Sequence, residues 1–386
     1  MKIVHLALCG PVMDGWNYQD NMLVKFHRKK GFNVCLITSK WVWGKDNKLE
    51  FFDKTNYYDE SGAKIIRLDT KHNKTVLDKS RRFIGLYDTL LQESPDILFI
   101  HQAMMLDVSV VVKYLKAHTS VKVFVDNHND FSNTARNPLS KYILHGIIWR
   151  HQYKKLEKYA EKFFGVLPAR VDFLHDIYGI PKEKIEYLPL GADDDLIDAI
   201  DEKIIQDIRL RYKVESNTFL IVTGGKIDEF KLQILSLMQA VSEINSSKIK
   251  LLVFGSVSDN LIERVENLSN GNTVQYVGWI NAAESYKYFA AADLVVFPGR
   301  HSVFWEQVVA QGKPLVCKEW VGTTHVDIGG NCIFLHEDTI EEIKSVILSL
   351  ISVEGIPTER YTSMLRMAQG DQKEMFKYGT ICQKCL

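Results

Sequence analysis

Cysteine is scarce in this chain, with only six among 386 residues. That excludes a disulfide-stapled scaffold, and only Cys382 and Cys385 form a close pair. No second pair and no histidine cluster completes a zinc pattern, so a bound metal is not expected. Free thiols in a reducing cytoplasm are the expectation that follows. No stretch reaches the ~18 uncharged apolar residues that a membrane span requires. Charge of either sign is also not in excess. Lys plus Arg equals Asp plus Glu at 48 each, so the chain as a whole has no pull toward nucleic acid or an anionic surface. Neither a G-x-G-x-x-G nor a G-x-x-x-x-G-K-[ST] appears, and the dinucleotide and P-loop readings lose their motif.

What is present is an alternation. "KIVHLAL", "NVCLIT", "KIIRL", "DILFI", "VKVFVDN" and "FFGVLP" are short apolar runs separated by helix-length amphipathic stretches such as "NYQDNMLVKFHRKKG". The opening "MKIVHLALCG" fits a first buried strand better than a secretion signal. A long amphipathic helix is expected over residues 142–163. After a charged helical stretch around 190–215, a second series begins with "TFLIVTGG", "IKLLVFGS", "TVQYVGW", "DLVVFPG", "GKPLVC" and "NCIFL". The pattern predicts two doubly wound α/β domains with parallel sheets covered on both faces. The expected divisions are residues 1–195, 196–360 and a helical tail over 361–386 that packs back on the first domain. Such sheets bind ligands at the carboxyl ends of their strands, with the space between two domains as the expected site.

The chemistry-bearing residues fall at those strand exits. Gly224 and Gly225 turn the chain after the first strand of the second series, and Lys226 and Lys231 follow. Fixed positive charge and backbone N–H groups suit a phosphate, whereas two solvated lysines on a loop are the plainer reading. Gly255 and Gly278 close the next strands, and Trp279 can flank a flat base or join the core. In "VVFPGRHSVFWEQVVAQGKPLV", Arg300, His301 and Ser302 precede a helix carrying Glu306, with Ser302 as the expected N-cap. A carboxylate there can accept from ribose hydroxyls or simply favour the helix start. In the first series "VKVFVDNHNDFSN" ends in Asp126, His128 and Asp130, where a histidine beside carboxylates can move a proton near neutral pH. Loop capping is the alternative. His101 and Gln102 leave the preceding strand, and Gly15 lies in the first loop, where it would let a phosphate approach.

Taken together these residues resemble the family 4 glycosyltransferases of the GT-B fold, over most of the chain. "GKIDEFK" keeps that family's spacing of a basic residue and a lysine five positions on, with Lys226 standing where the family has arginine. The resemblance implies that Lys226 and Lys231 hold a donor diphosphate and that His128 lies near the transferred sugar. It also implies that Glu306 matches the second glutamate of a Glu-x(7)-Glu signature, on the ribose. The first glutamate is absent: Pro298 stands eight places earlier, and Arg300, His301 or Ser302 occupies its neighbourhood. The implied activity is metal-independent transfer of a sugar, with retention, from a UDP- or GDP-sugar to a carbohydrate or lipid-linked acceptor, in polysaccharide or glycolipid synthesis. A nucleotide-sugar epimerase or hydrolase and a non-catalytic nucleotide-sugar-binding protein are the alternatives. A basic segment with Lys71, Lys74, Lys79, Arg81 and Arg82 can meet anionic lipid at the inner face of the cell membrane or a lipid-diphosphate acceptor, with a solvated loop as the plainer reading.

Overall fold

The computed structural model describes residues 1–44, 48–72 and 80–386. The chain divides into two compact units, Met1–Leu190 with Tyr378–Leu386, and Gly191–Lys377.

In the first unit the strands are β1 (Lys2–Ala7), β2 (Asn33–Ser39), β3 (Trp41–Trp43), β4 (Leu49–Phe51), β5 (Asn56–Tyr58), β6 (Lys64–Leu68), β7 (Ile97–His101), β8 (Lys122–Asn127), β9 (Ala160–Gly165) and β10 (Ile185–Tyr187). Eight of them form one sheet in the order β10-β9-β8-β7-β1-β2-β6-β5, while β3 and β4 make a separate ribbon. Every pairing in the sheet is parallel except β5 with β6. Strands covered on both faces need apolar side chains at successive positions, and β7 (ILFIH) is buried at all five.

The second unit adds β11 (Phe219–Gly224), β12 (Ile249–Phe254), β13 (Val274–Gly278), β14 (Leu294–Phe297), β15 (Leu315–Lys318) and β16 (Cys332–Leu335). They form a wholly parallel sheet in the order β13-β12-β11-β14-β15-β16. In β11 and β12 all twelve positions are buried. Each large aliphatic side chain so enclosed contributes about 1.5–3 kcal/mol relative to exposure.

Both sheets reverse their winding direction beside their first strand, between β1 and β7 and between β11 and β14. Loops leaving those strands diverge to opposite faces and open a crevice at the carboxyl ends, the ligand position of doubly wound sheets. The loop from Gly10 to Tyr18 and Gln102 sit at the first switch point. Gly225–Leu232 and Pro298–Val303 sit at the second.

Three expectations change. The helix expected over 142–163 runs instead from Leu139 to Leu156, as a π-wound segment Leu139–Trp149 continued by Arg150–Leu156. It stops there because Ala160–Gly165 pairs with β8 as strand β9, so the last six residues of "KYAEKFFG" are claimed by the sheet. The division falls at Leu190/Gly191, and the returning segment begins only at Tyr378. Residues before it belong to the second unit: in the helix Glu359–Ala368, Tyr361 and Met364 join that unit's core. Cys382 and Cys385 are buried beside Ile3, Met22 and Phe26, so the terminal C-x-x-C packs the first unit, and all six cysteines are free thiols.

Candidate functional site

At the second switch point the glycines do different work. Gly225 has φ 121°, and a Cβ there would sit 3.7 Å from Lys231 Nζ and 3.9 Å from the Phe304 ring. The sequence spacing therefore folds Lys231 back against the Gly225 backbone, at the carboxyl end of β11. Burial lowers the pKa of Lys231, and the Arg300 and Lys226 charges lower it further against the pull of Asp228. Lys226 is exposed and lies 3.4 Å from Asp228, and the Arg300 guanidinium stacks 5.2 Å from the Phe230 ring centroid. Three cations thus converge where β11 and β14 end. A buried amine repelled by two neighbouring cations is stabilised by any anion that enters.

Gly255 faces protein: at φ 131°, a Cβ would meet the Gly225 carbonyl oxygen at 1.9 Å, so its lack of a side chain lets two loops touch. Gly278, at φ 87°, has open space around its Cβ position, and Trp279 beyond it is 71% exposed. Gly15, at φ 73°, is likewise open, in the loop after β1 of the first unit.

Glu306 lies in the first turn of the helix Phe304–Ala310, whose N-cap is Val303 without a side-chain cap. Ser302 is not the N-cap as expected; its carbonyl accepts from Trp305 N at 3.0 Å instead. The Glu306 carboxylate is 0% exposed, and its Oε1 lies 2.9 Å from His301 Nε2 and 2.8 Å from His325 Nε2. Burial opposes its ionisation, but the two histidines overcome that and pull its pKa down to about 2. The group facing outward is therefore His301, oriented by the carboxylate. His325 was invisible from the sequence, because it arrives from a short turn nineteen residues on.

The first unit's switch point holds a different constellation. Cys382 O lies 2.9 Å from His27 Nε2, His27 Nδ1 lies 3.0 Å from His5 Nε2, and His5 Nδ1 lies 3.0 Å from His101 Nε2. His101 Nδ1 then lies 2.8 Å from Asp126 Oδ2. The three rings are 0–2% exposed. Both ends of this chain, a carbonyl and a carboxylate, can only accept. Four hydrogen bonds need four N–H protons, whereas three neutral imidazoles carry three. The chain therefore holds one extra proton and one positive charge. That charge belongs on His101: burial resists it, but Asp20 and Asp126 raise the His101 pKa. Burial lowers His5 well below its usual value, with His27 and His101 adding to it, and burial brings His27 to about 4.

His128 Nε2 lies 3.2 Å from the same Asp126 oxygen, and His128 is 22% exposed. Burial resists ionisation of Asp126, yet His128 and His101 hold it far below the usual carboxylate range. A Gln102 residue held at φ 63° also donates its backbone N–H to Asp126 Oδ1 at 3.0 Å. Asp130 is not part of this group. It pairs with Arg170 at 3.0 Å and accepts from Ser132 N and Asn133 N, a loop-capping role. The ligand atoms of Asp20, Asp126 and His128, and those of His301, Glu306 and His325, are each close enough together to hold a cation. Asp126 accepts at both oxygens, from His101 and from Gln102 N–H, whereas Glu306 is bonded at Oε1 alone and its buried Oε2 has no hydrogen-bond partner among the described residues.

Two tandem doubly wound units of this topology define the GT-B class. Residues 218–352 match the family Glycosyl transferases group 1. Mannosylfructose-phosphate synthase of Agrobacterium fabrum is 23% identical over 240 residues, 59% of this chain and 52% of that protein. The match thus spans about half the length of that curated relative. A glycosyltransferase from Rickettsia africae superposes with a TM-score of 0.70 at 15% identity, covering 99% of this chain and 96% of that one. Anabaena Alr3699/HepE in complex with UDP does so at 0.68 and 15%, covering 100% and 98%. The group 1 glycosyltransferase match thus falls within the second unit, and the likeness to these solved structures shows the GT-B fold. Among the described residues no helix is long and apolar enough to cross a membrane.

Proposed function

We propose that the protein transfers a sugar from a nucleotide diphosphate sugar, UDP-linked in the first instance, to an acceptor hydroxyl. The observation that carries this reading is Lys231, folded against Gly225 with Arg300 and Lys226 among its electrostatic neighbours. In this reading Lys231 and Arg300 hold the diphosphate and stabilise its departure, which needs no metal. Trp279 and the open Gly278 backbone flank the base, and His301, fixed by Glu306, meets the ribose or the donor sugar. His128, backed by Asp126, handles the acceptor's proton. Retention of configuration and a place in polysaccharide or glycolipid synthesis are the extensions that the family resemblance supports. That the Anabaena protein was crystallised with UDP supports the choice of base.

Calorimetric titration with UDP, GDP and NAD tests the assignment. The wild type is expected to bind UDP, with NAD silent. Glu306→Gln, which keeps an acceptor for both histidines, is expected to fold and to bind more weakly. A wild type that binds none of the three overturns the proposal. Donor consumption without an acceptor would move the protein to the hydrolase or epimerase reading.

A further inference from the structure

The helix Leu139–Trp149 is apolar on the wrong side. Its inward face buries His145 and Trp149, and the continuation buries Gln152, Tyr153 and Leu156. The outward face of a surface helix is normally polar. Here it presents Leu139 at 68% exposure, Tyr142 at 63%, Ile143 at 48%, Ile147 at 63%, and Leu144 and Ile148 at 38%. Scattered exposed leucines need no explanation, but six large apolar side chains on one helix face do.

Charge identifies what covers them. From Phe131 to Leu156 the chain has no acidic residue, while Arg136, Lys141, Arg150, Lys154 and Lys155 punctuate it. Lys141 Nζ sits 5.4 Å from the Tyr142 ring centroid, placing a cation beside an aromatic at the apolar border. A shallow concavity of about 580 Å³ is lined by Ile147, Ile148, Arg150, His151 and Lys154. Lys154 also borders a second one, of about 610 Å³, where Lys116, Lys155 and Lys158 gather with Glu157 as the single acid. Glu157 is itself paired to Lys154. Apolar side chains rimmed by lysines are the composition of a helix that lies in the headgroup layer of an anionic bilayer. A second copy of the chain fits poorly: one short helix face is far below the 20–30 residues a side of a stable protein interface, and its basic rim would repel its own copy.

We infer that the outward face of Leu139–Trp149, with the lysine groove beside it, docks the first unit on an anionic lipid surface. The inference is independent of the transferase reading and concerns a different segment from the basic stretch at residues 71–82. Of that stretch, Lys74 and Lys79 lie outside the described residues, and Arg81 is turned inward to the Met104 carbonyl at 2.7 Å.

The test is co-sedimentation of the full chain with vesicles of phosphatidylglycerol and phosphatidylcholine, against vesicles of phosphatidylcholine alone. The wild type is expected to partition at least tenfold better to the anionic vesicles, and high salt should weaken but not abolish binding. Ile143→Glu/Ile147→Glu should lose binding at least tenfold while keeping its thermal midpoint and its circular dichroism. Lys154→Glu/Lys158→Glu should bind the anionic vesicles no better than the neutral ones. Because all six native cysteines are buried, an environment-sensitive dye on Ile147→Cys reports insertion directly, as a blue shift on adding anionic vesicles. Three outcomes overturn the inference: equal binding by wild type and Ile143→Glu/Ile147→Glu, no binding by the wild type, or a dimer in solution that Ile147→Glu dissolves.

Discussion

The two units share a topology and place their loops at the same kind of switch point, yet they fill it with opposite chemistry. In the first unit, histidines and carboxylates meet in a buried hydrogen-bonded chain that runs through His5 inside β1 to the carboxyl ends of β7 and β8 and ends near His128. At the ends of β11 and β14 in the second, lysine and arginine converge on a glycine turn. A histidine chain stores and relocates a proton, whereas lysine and arginine cations hold an anion. The winding of a sheet decides where a site lies, and the side chains at that place decide what it does. Identical folds therefore do not imply identical halves of a reaction.

The sharpest way to break the comparison is pH, which should act through the histidine-rich unit. His27 and His145 have folded pKa values of about 4, lowered first by burial, and His5 is lowered as well. In the unfolded chain such groups take up protons near pH 6.5. Unfolding between pH 6.5 and 4 therefore binds protons, and stability should fall as pH drops through that window. Each group contributes a slope of about 1.4 kcal/mol per pH unit. His101, raised instead, contributes stability that is complete below pH 6.5 and lost as pH climbs through its folded value. Denaturant melts from pH 4 to 8 check this, and a flat acid limb would disprove the buried, proton-poor state of His5 and His27.

Asp126→Ala should be the most damaging single change at either site, because it leaves the His101 proton in the interior with only the part-exposed Asp20 carboxylate, 3.2 Å from Nδ1, beside it. The expected loss is about 3–5 kcal/mol. A second expected signature is a nitrogen spectrum in which His101 no longer titrates as a cation. Tolerance of Asp126→Ala would mean the chain carries no extra proton.

Gly255→Ala and Gly278→Ala separate contact from openness inside the second unit. Both need a positive φ, which costs an alanine about 1–2 kcal/mol. Only Gly255 also meets backbone, the Gly225 oxygen, so its substitution should exceed that figure in a thermal melt. Equal losses would remove the distinction.

The finest discrimination lies between the two lysines. Lys231→Ala should weaken UDP binding by roughly tenfold to a hundredfold, the loss of a charge-assisted bond of about 1.5–3 kcal/mol. Lys226→Ala, at an exposed side chain already beside Asp228, should cost less. Calorimetry that ranks them the other way would move the diphosphate to the outer edge of the loop.

Some of this was legible in the chain alone. Two runs of short apolar strands separated by amphipathic stretches determine a doubly wound architecture, because a parallel strand buried on both faces must be apolar at successive positions. The spacing of Gly225, Lys226 and Lys231 determined that a cationic turn follows β11, since a short loop cannot carry its lysines far from its strand. Tertiary structure alone decided the rest. His5 interrupts an apolar run, and His27 falls on a helix in a basic cluster. Nothing local relates them to each other, to His101, or to a carbonyl 355 residues away. His325 reaches Glu306 only because neighbouring strand exits converge on one edge of the sheet. The boundary of the 139–156 helix turned on whether "AEKFFG" found a strand partner, which is a property of β8 and not of the segment. Local sequence carries burial and turn geometry. Which polar groups share one interior is set by how the strands are ordered, and that order appears only when the sheet has closed.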